Sequence, residues 1–470
     1  MVASKIRCAK GWQIACGVLY WYRKIQQPIN YSTLPVIAGK EEVAGFSAGW
    51  FAYICRYFNC MDNVPAISFD NTATAFAYKP DADLKKAHFL FTMMGRQWLV
   101  NLGLKITPLA IKWNLPFTRS LIRSTIFQQF VGGETLQETA EVAATLGAYN
   151  VQVILDYGVE GGDDGEHGFD YSTEEFIRVI DYAATQPNIP FMSIKVTGFS
   201  RFALLEKIDA LMHSFEGTLM KRYLQALETL TLAEKEEWHQ VRTRLLRICE
   251  TAAEKKVGVL VDAEETWIQD PVDALTILMM DSFNKGRVVV YNTLQLYRVD
   301  RLPFLKDSYE AAAERKFILG AKLVRGAYME NERHRAAEKN YPSPIQPDKE
   351  SCDRDYNQAL EFSVHHLDTI ALIVASHNEY SNLYTTRLLD QLGLPHDHPH
   401  VHFSQLYGMS DNITFNLAKA GCSVSKYLPF GPIGDVIPYL MRRAQENSSM
   451  SGQTGRELGL IKKEMKRRAH

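Results

Sequence analysis

VGVLVDAEE (257–265), RVVVYNTLQ (287–295) and ILGAKLVRGAY (318–328) are short, β-branched, nearly continuous apolar runs that each break off into polar and charged residues. A half-exposed strand alternates apolar with polar residues. Runs without alternation belong to strands covered on both faces, hence to a parallel sheet flanked by helices. The same texture recurs upstream in VQVILDYGV (151–159) and FMSIKVT (191–197), and downstream in TIALIVASHN (369–378), HVHFSQLYGM (400–409) and SVSKYLPFGP (423–432). The eight starts are separated by 40, 66, 30, 31, 51, 31 and 23 residues. Each gap holds a helix-periodic segment, such as DPVDALTILMMDSF or SYEAAAERKF, and a βαβ step takes roughly thirty residues. The widest gap has room for extra helices at 202–216 and 232–254. Eight strand–helix units are the count of an α/β fold of the TIM type, a (β/α)8 barrel. The alternative, a doubly wound sheet, usually has fewer strands and needs a Gly-rich turn after an early one. No GxGxxG occurs in the chain.

Working outward, residues 64–149 read as a helical region, with DADLKKAHFLFTMMGRQWLVNLGL and TLQETAEVAATLGAY as its clearest segments. The barrel occupies 150–450, and 451–470 form a basic C-terminal helix or tail. Residues 1–63 are an extension of unknown role, whose GWQIACGVLYWY (11–22) is too short to span a bilayer. That segment resembles a signal-peptide apolar region without a cleavage site. The acid-free first forty residues suit a transit peptide as well as a plain amphipathic segment. Overall the chain has 470 residues, 46% hydrophobic and 23% charged, with a net charge of −2. That is globular composition with no basic field for nucleic acid. Seven cysteines without paired spacing argue against a disulfide framework or zinc site and fit a reducing compartment. The expected location is intracellular, cytoplasmic or peripheral on the inner membrane in a bacterium, and on the mitochondrial matrix side in a eukaryote.

In a barrel, chemistry collects where strands end. Those ends supply Lys195, then Asp262, Glu264 and Glu265, then Gln295 and Tyr297, then Lys322, Arg325 and Tyr328. Ser376, His377 and Asn378 follow, then Gln405 and Tyr407, then Lys426 and Tyr427. Four cations in one mouth (Lys195, Lys322, Arg325, Lys426) need an anionic ligand. After the last strand, YLMRRAQEN (439–447) sets Arg442 and Arg443 side by side, with Glu446 placed to brace both; such a pair clamps a small carboxylate. HDHPHVH (396–402) precedes a strand and reads as a polar turn, so no metal is expected. GGDDGEHGFD (161–170) lacks calcium-loop spacing and reads as a mobile loop. The basic IKKEMKRRAH (461–470) reads as a solvated helix end that also offers a peripheral membrane contact.

VDAEE (261–265), KLVRGAY (322–328), ASHNE (375–379), FSQLYGM (403–409), KYLPFGP (426–432) and YLMRRAQEN (439–447), in this order, resemble the flavin-dependent proline dehydrogenases, over roughly 65–460. The resemblance implies a distorted barrel that binds FAD without a dinucleotide fold. It also implies oxidation of L-proline to Δ1-pyrroline-5-carboxylate by hydride transfer from C5 to flavin N5, the first step of proline catabolism, with electrons passed to a membrane quinone. By position, Arg442, Arg443 and Lys195 resemble the carboxylate clamp, with Glu446 beside them. Tyr328, Tyr427 and Tyr439 resemble the walls around the pyrrolidine ring. Gln295, Lys322, Arg325, Gly326, Ala327, Ser376 and His377 resemble flavin contacts, with Ala263 beneath the isoalloxazine, and Asp262 resembles a residue that orients the site. Asp262, Lys322, Tyr328 and Tyr427 are thus the expected catalytic set. Bacterial bifunctional members carry Arg where this chain has Lys322, which keeps the charge but loses the planar fork. The pattern around it is that of the monofunctional, eukaryotic-like branch. The rival functions are a trans-4-hydroxy-L-proline dehydrogenase, a Schiff-base lyase using Lys195 or Lys322, and a barrel serving as a binding scaffold.

Overall fold

The computed structural model describes residues 67–113, 117–158, 165–449 and 451–469, with the side chains of 108, 112, 446–449 and 451–454 left aside. The expectations for GWQIACGVLYWY therefore lie outside the described residues. All eight apolar runs are strands: Gln152–Tyr157 (β1), Phe191–Ile194 (β2), Gly258–Val261 (β3), Val290–Gln295 (β4), Leu319–Val324 (β5), Ile370–Ala375 (β6), Val401–Leu406 (β7) and Val424–Phe430 (β8). They pair in parallel in sequence order, and β1 pairs with β8 to close the barrel.

Strand side chains point alternately inward and outward. Ile154, Leu260, Tyr291, Ala371 and Ile373 fill the lower interior, while their neighbours Val153, Val259, Val290, Leu372 and Val374 pack under the helices. Both faces are dry, which is why the runs show no alternation. The widest gap holds three helices, one more than expected: Phe202–Met212, Leu219–Glu228 and Leu232–Lys255. The last starts at a capping box in which Thr231 and Glu234 satisfy each other's backbone N–H groups.

Two expectations need correction. Residues 165–170 of GGDDGEHGFD are not loop but the first turns of the helix Gly165–Ala184. Glu166 and Asp170 there ion-pair with the buried Arg244 of the helix Leu232–Lys255, a partner far away in sequence. The basic C-terminal stretch is not a freely solvated end either. It belongs to the helix Ser451–Arg468, whose Leu460 and Ile461 pack in a second core with Leu84, Phe91, Phe130, Val436 and Leu440. Arg468 bonds Asp81 at 2.7 Å and the carbonyls of Phe76 and Lys79, and Arg467 bonds Glu464.

Candidate active site

The upper interior of the barrel is polar. Lys322 (β5) donates to Asp262 Oδ1 at 2.5 Å, just beyond β3, and Tyr427 (β8) donates to Asp262 Oδ2 at 2.7 Å. Ser193 (β2) lies 2.8 Å from the Tyr427 hydroxyl and 3.0 Å from Asp156 Oδ1 (β1). Five strands thus contribute to one chain of contacts across the mouth. Burial pushes the Asp156 carboxyl up, only partly countered by Lys195. Ser193 has a single hydroxyl hydrogen for two acceptors. That hydrogen is shared between Asp156 Oδ1 and the Tyr427 oxygen, while the Tyr427 hydroxyl gives its own hydrogen to Asp262. Burial alone would raise Asp262 too, but Lys322 and Lys195 outweigh it and hold the carboxylate below its usual range. The Lys322 ammonium also sits 5.1 Å from the Tyr427 ring centroid.

Around this centre the expected residues take separate posts. Gln295 at the end of β4 donates to the Glu264 carbonyl at 2.7 Å and accepts from the Ala327 N–H at 3.2 Å, tying together the loops after β3 and β5. Arg325 donates to Asp353 at 2.8 Å, Ser376 at 2.8 Å and Ser381 at 3.0 Å, and lies over the Tyr356 ring. Between Arg325 and Ala327, Gly326 has φ +143°, and a Cβ there would stand 2.5 Å from the Tyr297 ring, so only glycine fits. His377 Nδ1 lies 2.9 Å from Ser410 Oγ. Burial, with the cations Lys426, Arg443 and Arg325, pushes its pKa down to about 3, so the imidazole is neutral. Ala263, half-buried, separates Asp262 from the buried Glu264.

The helix Ile433–Ser449 follows β8. Its Arg442 guanidinium lies 5.9 Å from the ring centroid of Tyr328, beyond β5, and its buried Arg443 lies 5.3 Å from that of Tyr439. Lys195, Glu264 and Arg442 all act electrostatically on Tyr328, so two of the three expected clamp cations share one region, while Arg443 acts on His377. The bracing role of Glu446 falls on a side chain outside the described residues.

The expectation that four cations await an external anion is overturned for three. Lys322 is paired with Asp262, Arg325 with Asp353, and Lys426 with Asp411 at 2.9 Å. Lys426 is not at the mouth. It points outward from β8 into the layer containing the helix Asp411–Lys419. Asp156, Ser193 and Glu264 carry more of the site than the sequence suggested. A usable signal existed for the first two: strand parity and register set Ile154 level with Tyr427 and Asp156 level with Ser193. The four histidines of 396–402 have diverging partners, among them Asp390 for His396, the Leu367 carbonyl for His400 and Ser425 for His402. Among the described residues, one grouping has metal-ligand spacing, Asp209, His213 and Asp270; Arg222 already pairs with Asp270 and His213 with Asp209.

Fold and site together define a parallel (β/α)8 barrel with a polar, charge-matched mouth, capped by a helix that presents two arginines. A family model described as "Proline dehydrogenase" matches residues 139–456. The chain is 34% identical to "Proline dehydrogenase 1, mitochondrial" of Dictyostelium discoideum over 376 residues, 74% of this chain and 65% of that protein. It is 32% identical to "Hydroxyproline dehydrogenase" of Xenopus laevis over 368 residues, 74% of this chain and 78% of that protein. A crystal structure of proline utilization A from Bdellovibrio bacteriovorus superposes with a TM-score of 0.59, covering 87% of this chain and 40% of that one; at 17% identity this likeness speaks for the fold. The chain belongs to the proline dehydrogenase family.

Proposed function

We propose that this chain oxidises L-proline to Δ1-pyrroline-5-carboxylate with FAD as its cofactor and passes the electrons to a membrane quinone. The observation that carries this reading is the gathering of cations with aromatic rings beyond the strands: Arg442 beside Tyr328, Lys195 acting on the same Tyr328, and the buried Arg443 beside Tyr439. In this reading the two guanidinium groups, with Lys195, hold one small carboxylate. Tyr328 and Tyr439 lie against those guanidinium groups and wall the ring of the substrate.

The donor set fits a flavin. Arg325, Ser376 and the neutral His377 gather beyond β5 and β6, Gln295 fixes the Ala327 backbone, and Gly326 lets that backbone approach closely. When bound, FAD supplies the hydride acceptor. The protein's own part is orientation and charge. Asp262 holds the Lys322 ammonium in place while Lys322 keeps a positive charge in a water-poor mouth. The Tyr427 hydroxyl is held by Asp262 and Ser193, so the tip of its side chain is anchored within the mouth.

That last feature favours proline over trans-4-hydroxyproline, the substrate class the Xenopus relative's name raises. The Tyr427 hydroxyl is already engaged, so a 4-hydroxyl would meet an aromatic edge without a partner. A paired Lys322, and Lys195 set among carboxyls, also speak against a Schiff-base lyase, which needs a neutral amine. The mitochondrial name of the Dictyostelium protein supports a mitochondrial location for a eukaryotic source. The test is the visible spectrum of the purified protein before and after addition of L-proline, then trans-4-hydroxy-L-proline. A flavin spectrum bleached by proline supports the proposal. A colourless protein that takes up no FAD, or bleaching by hydroxyproline alone, overturns it.

A further inference from the structure

The helix Gln97–Lys112 is apolar on two sides. Its inner side, with buried Val100 and Ala110 and half-buried Leu104 and Ile111, faces the protein, and the helix packs on Ile433–Ser449, which bears Arg442 and Arg443. Its outer side carries Trp98, Leu102, Ile106 and Leu109, with Trp113 at the C-cap; they are 64%, 48%, 51%, 48% and 67% exposed. At about 100° per residue these five fall within an arc of roughly 80°. They form one continuous stripe that no described residue covers. Phe117 and Leu121, just beyond, are exposed as well. An amphipathic surface helix turns its second face to water with polar residues. This one does not.

The charges around the stripe identify its partner. From Arg96 to Gly133 the sequence contains Arg96, Lys105, Lys112, Arg119 and Arg123 and no acidic residue. Arg96, Lys105 and Arg119 are exposed, while Arg123 is taken by Glu134 and Glu138. A tryptophan at each end of an apolar stripe with a basic rim suits the interface of a bilayer with anionic headgroups. The obvious competitor from within the chain is residues 1–40, but they carry Lys5, Arg7, Lys10, Arg23, Lys24 and Lys40 and no acid. Like charge disfavours that cover, and it disfavours a second copy of the same basic face. No described helix is long and apolar enough to cross a membrane, and a stripe along one side of a helix suits contact in the plane of the surface.

We propose that the outer face of Gln97–Lys112, continued by Trp113, docks this protein on an anionic lipid surface. The inference stands whether or not proline is the substrate. If proline is, docking would bring the helix that carries the substrate clamp next to the membrane that holds the electron acceptor.

The test is co-sedimentation of the full chain with vesicles of phosphatidylcholine containing 30 mol% phosphatidylglycerol (about a third, enough to give a strong surface potential) and with phosphatidylcholine alone. Hydroxyl-radical labelling of Trp98 and Trp113 is followed in parallel. Binding to the anionic vesicles, weakened by salt, is expected, with both tryptophans labelled in free protein and protected on the vesicles. Leu102→Ser with Ile106→Ser should lower the partition coefficient at least about tenfold, and Lys105→Glu with Arg119→Glu should abolish the preference for anionic lipid. Protection of Trp98 and Trp113 without lipid would assign the face to residues 1–66 or to a second copy and overturn the proposal. So would unaltered binding by the Leu102/Ile106 variant, or no binding by the parent protein. None of these readouts depends on turnover.

Discussion

Asp411→Asn tests whether Lys426 is a structural cation or one that waits for a ligand. The Asp411 carboxylate holds Lys426 Nζ at 2.9 Å and Lys79 Nζ at 2.9 Å, and accepts from the Tyr78 hydroxyl at 2.8 Å. The side chains of Lys426, Asp411 and Lys79 are 0%, 3% and 12% exposed. Lys79 can turn towards water when the charge is lost, whereas Lys426 cannot. Breaking a buried pair costs about 3–5 kcal/mol because the surviving charge stays desolvated. That is a large part of the roughly 5–15 kcal/mol that stabilises a folded domain. Urea denaturation should therefore show a loss of that size in Asp411→Asn. Glu237→Gln, which unpairs the half-exposed Arg201, should cost about 1 kcal/mol or less. Adding Lys426→Met to Asp411→Asn removes the stranded charge and should restore most of the loss. Lys426 and Lys79 hold the Asp411 carboxyl well below the usual range despite burial. The unfolded chain therefore takes up that proton first, and the parent protein's stability from this pair is present at neutral pH and lost in acid below about pH 4. A loss under about 1 kcal/mol, or a double variant as weak as the single one, would refute the assignment.

Arg443→Met should raise KM for L-proline strongly, by the loss of a desolvated charge-assisted contact worth about 2–5 kcal/mol, while the flavin spectrum stays; unchanged saturation would move the clamp elsewhere. Burial pushes Glu264 up to about 7 against the partial opposition of Lys195 and Thr197. The folded protein thus holds a proton that the unfolded chain has released between about pH 4.5 and 7, and stability falls as pH rises through that window. Glu264→Gln should flatten this stretch of the stability–pH curve, and an unaltered slope would exclude Glu264 as its source. The parent protein should prefer L-proline to trans-4-hydroxy-L-proline by at least about tenfold in kcat/KM, and Tyr427→Ser should narrow the ratio mainly by weakening proline. Comparable turnover of both substrates by the parent would remove Tyr427 from substrate selection.

What the sequence made legible, and what it hid, follows from the range of the interactions involved. The strands were readable because a barrel buried on both faces writes itself as apolar runs of local extent, and their spacing was readable because each crossover needs a helix. Arg442 and Arg443 were readable for the same reason, since their helix follows β8 by a single short loop. Charge pairing was not readable, because it depends on which elements pack together and which way side chains face: Arg244 meets Glu166 and Asp170 on another helix, and Lys426 turns outward to meet Asp411 at the start of the preceding helix. A cation at a strand end therefore looked like a demand for ligand when its carboxylate was already supplied by the fold. One local rule would have separated the cases. Consecutive strand residues face opposite ways, so Lys426 and Tyr427 cannot both enter the mouth; once Tyr427 is placed inside beside Asp262, Lys426 must face the helices. The same parity brings Asp156 and Ser193 inward with Tyr427, and the polar chain they form follows. With Lys426 facing the helices, the cations that the proposed function assigns to the substrate carboxylate are Lys195 and Arg442, which both act on Tyr328, and the buried Arg443 beside Tyr439.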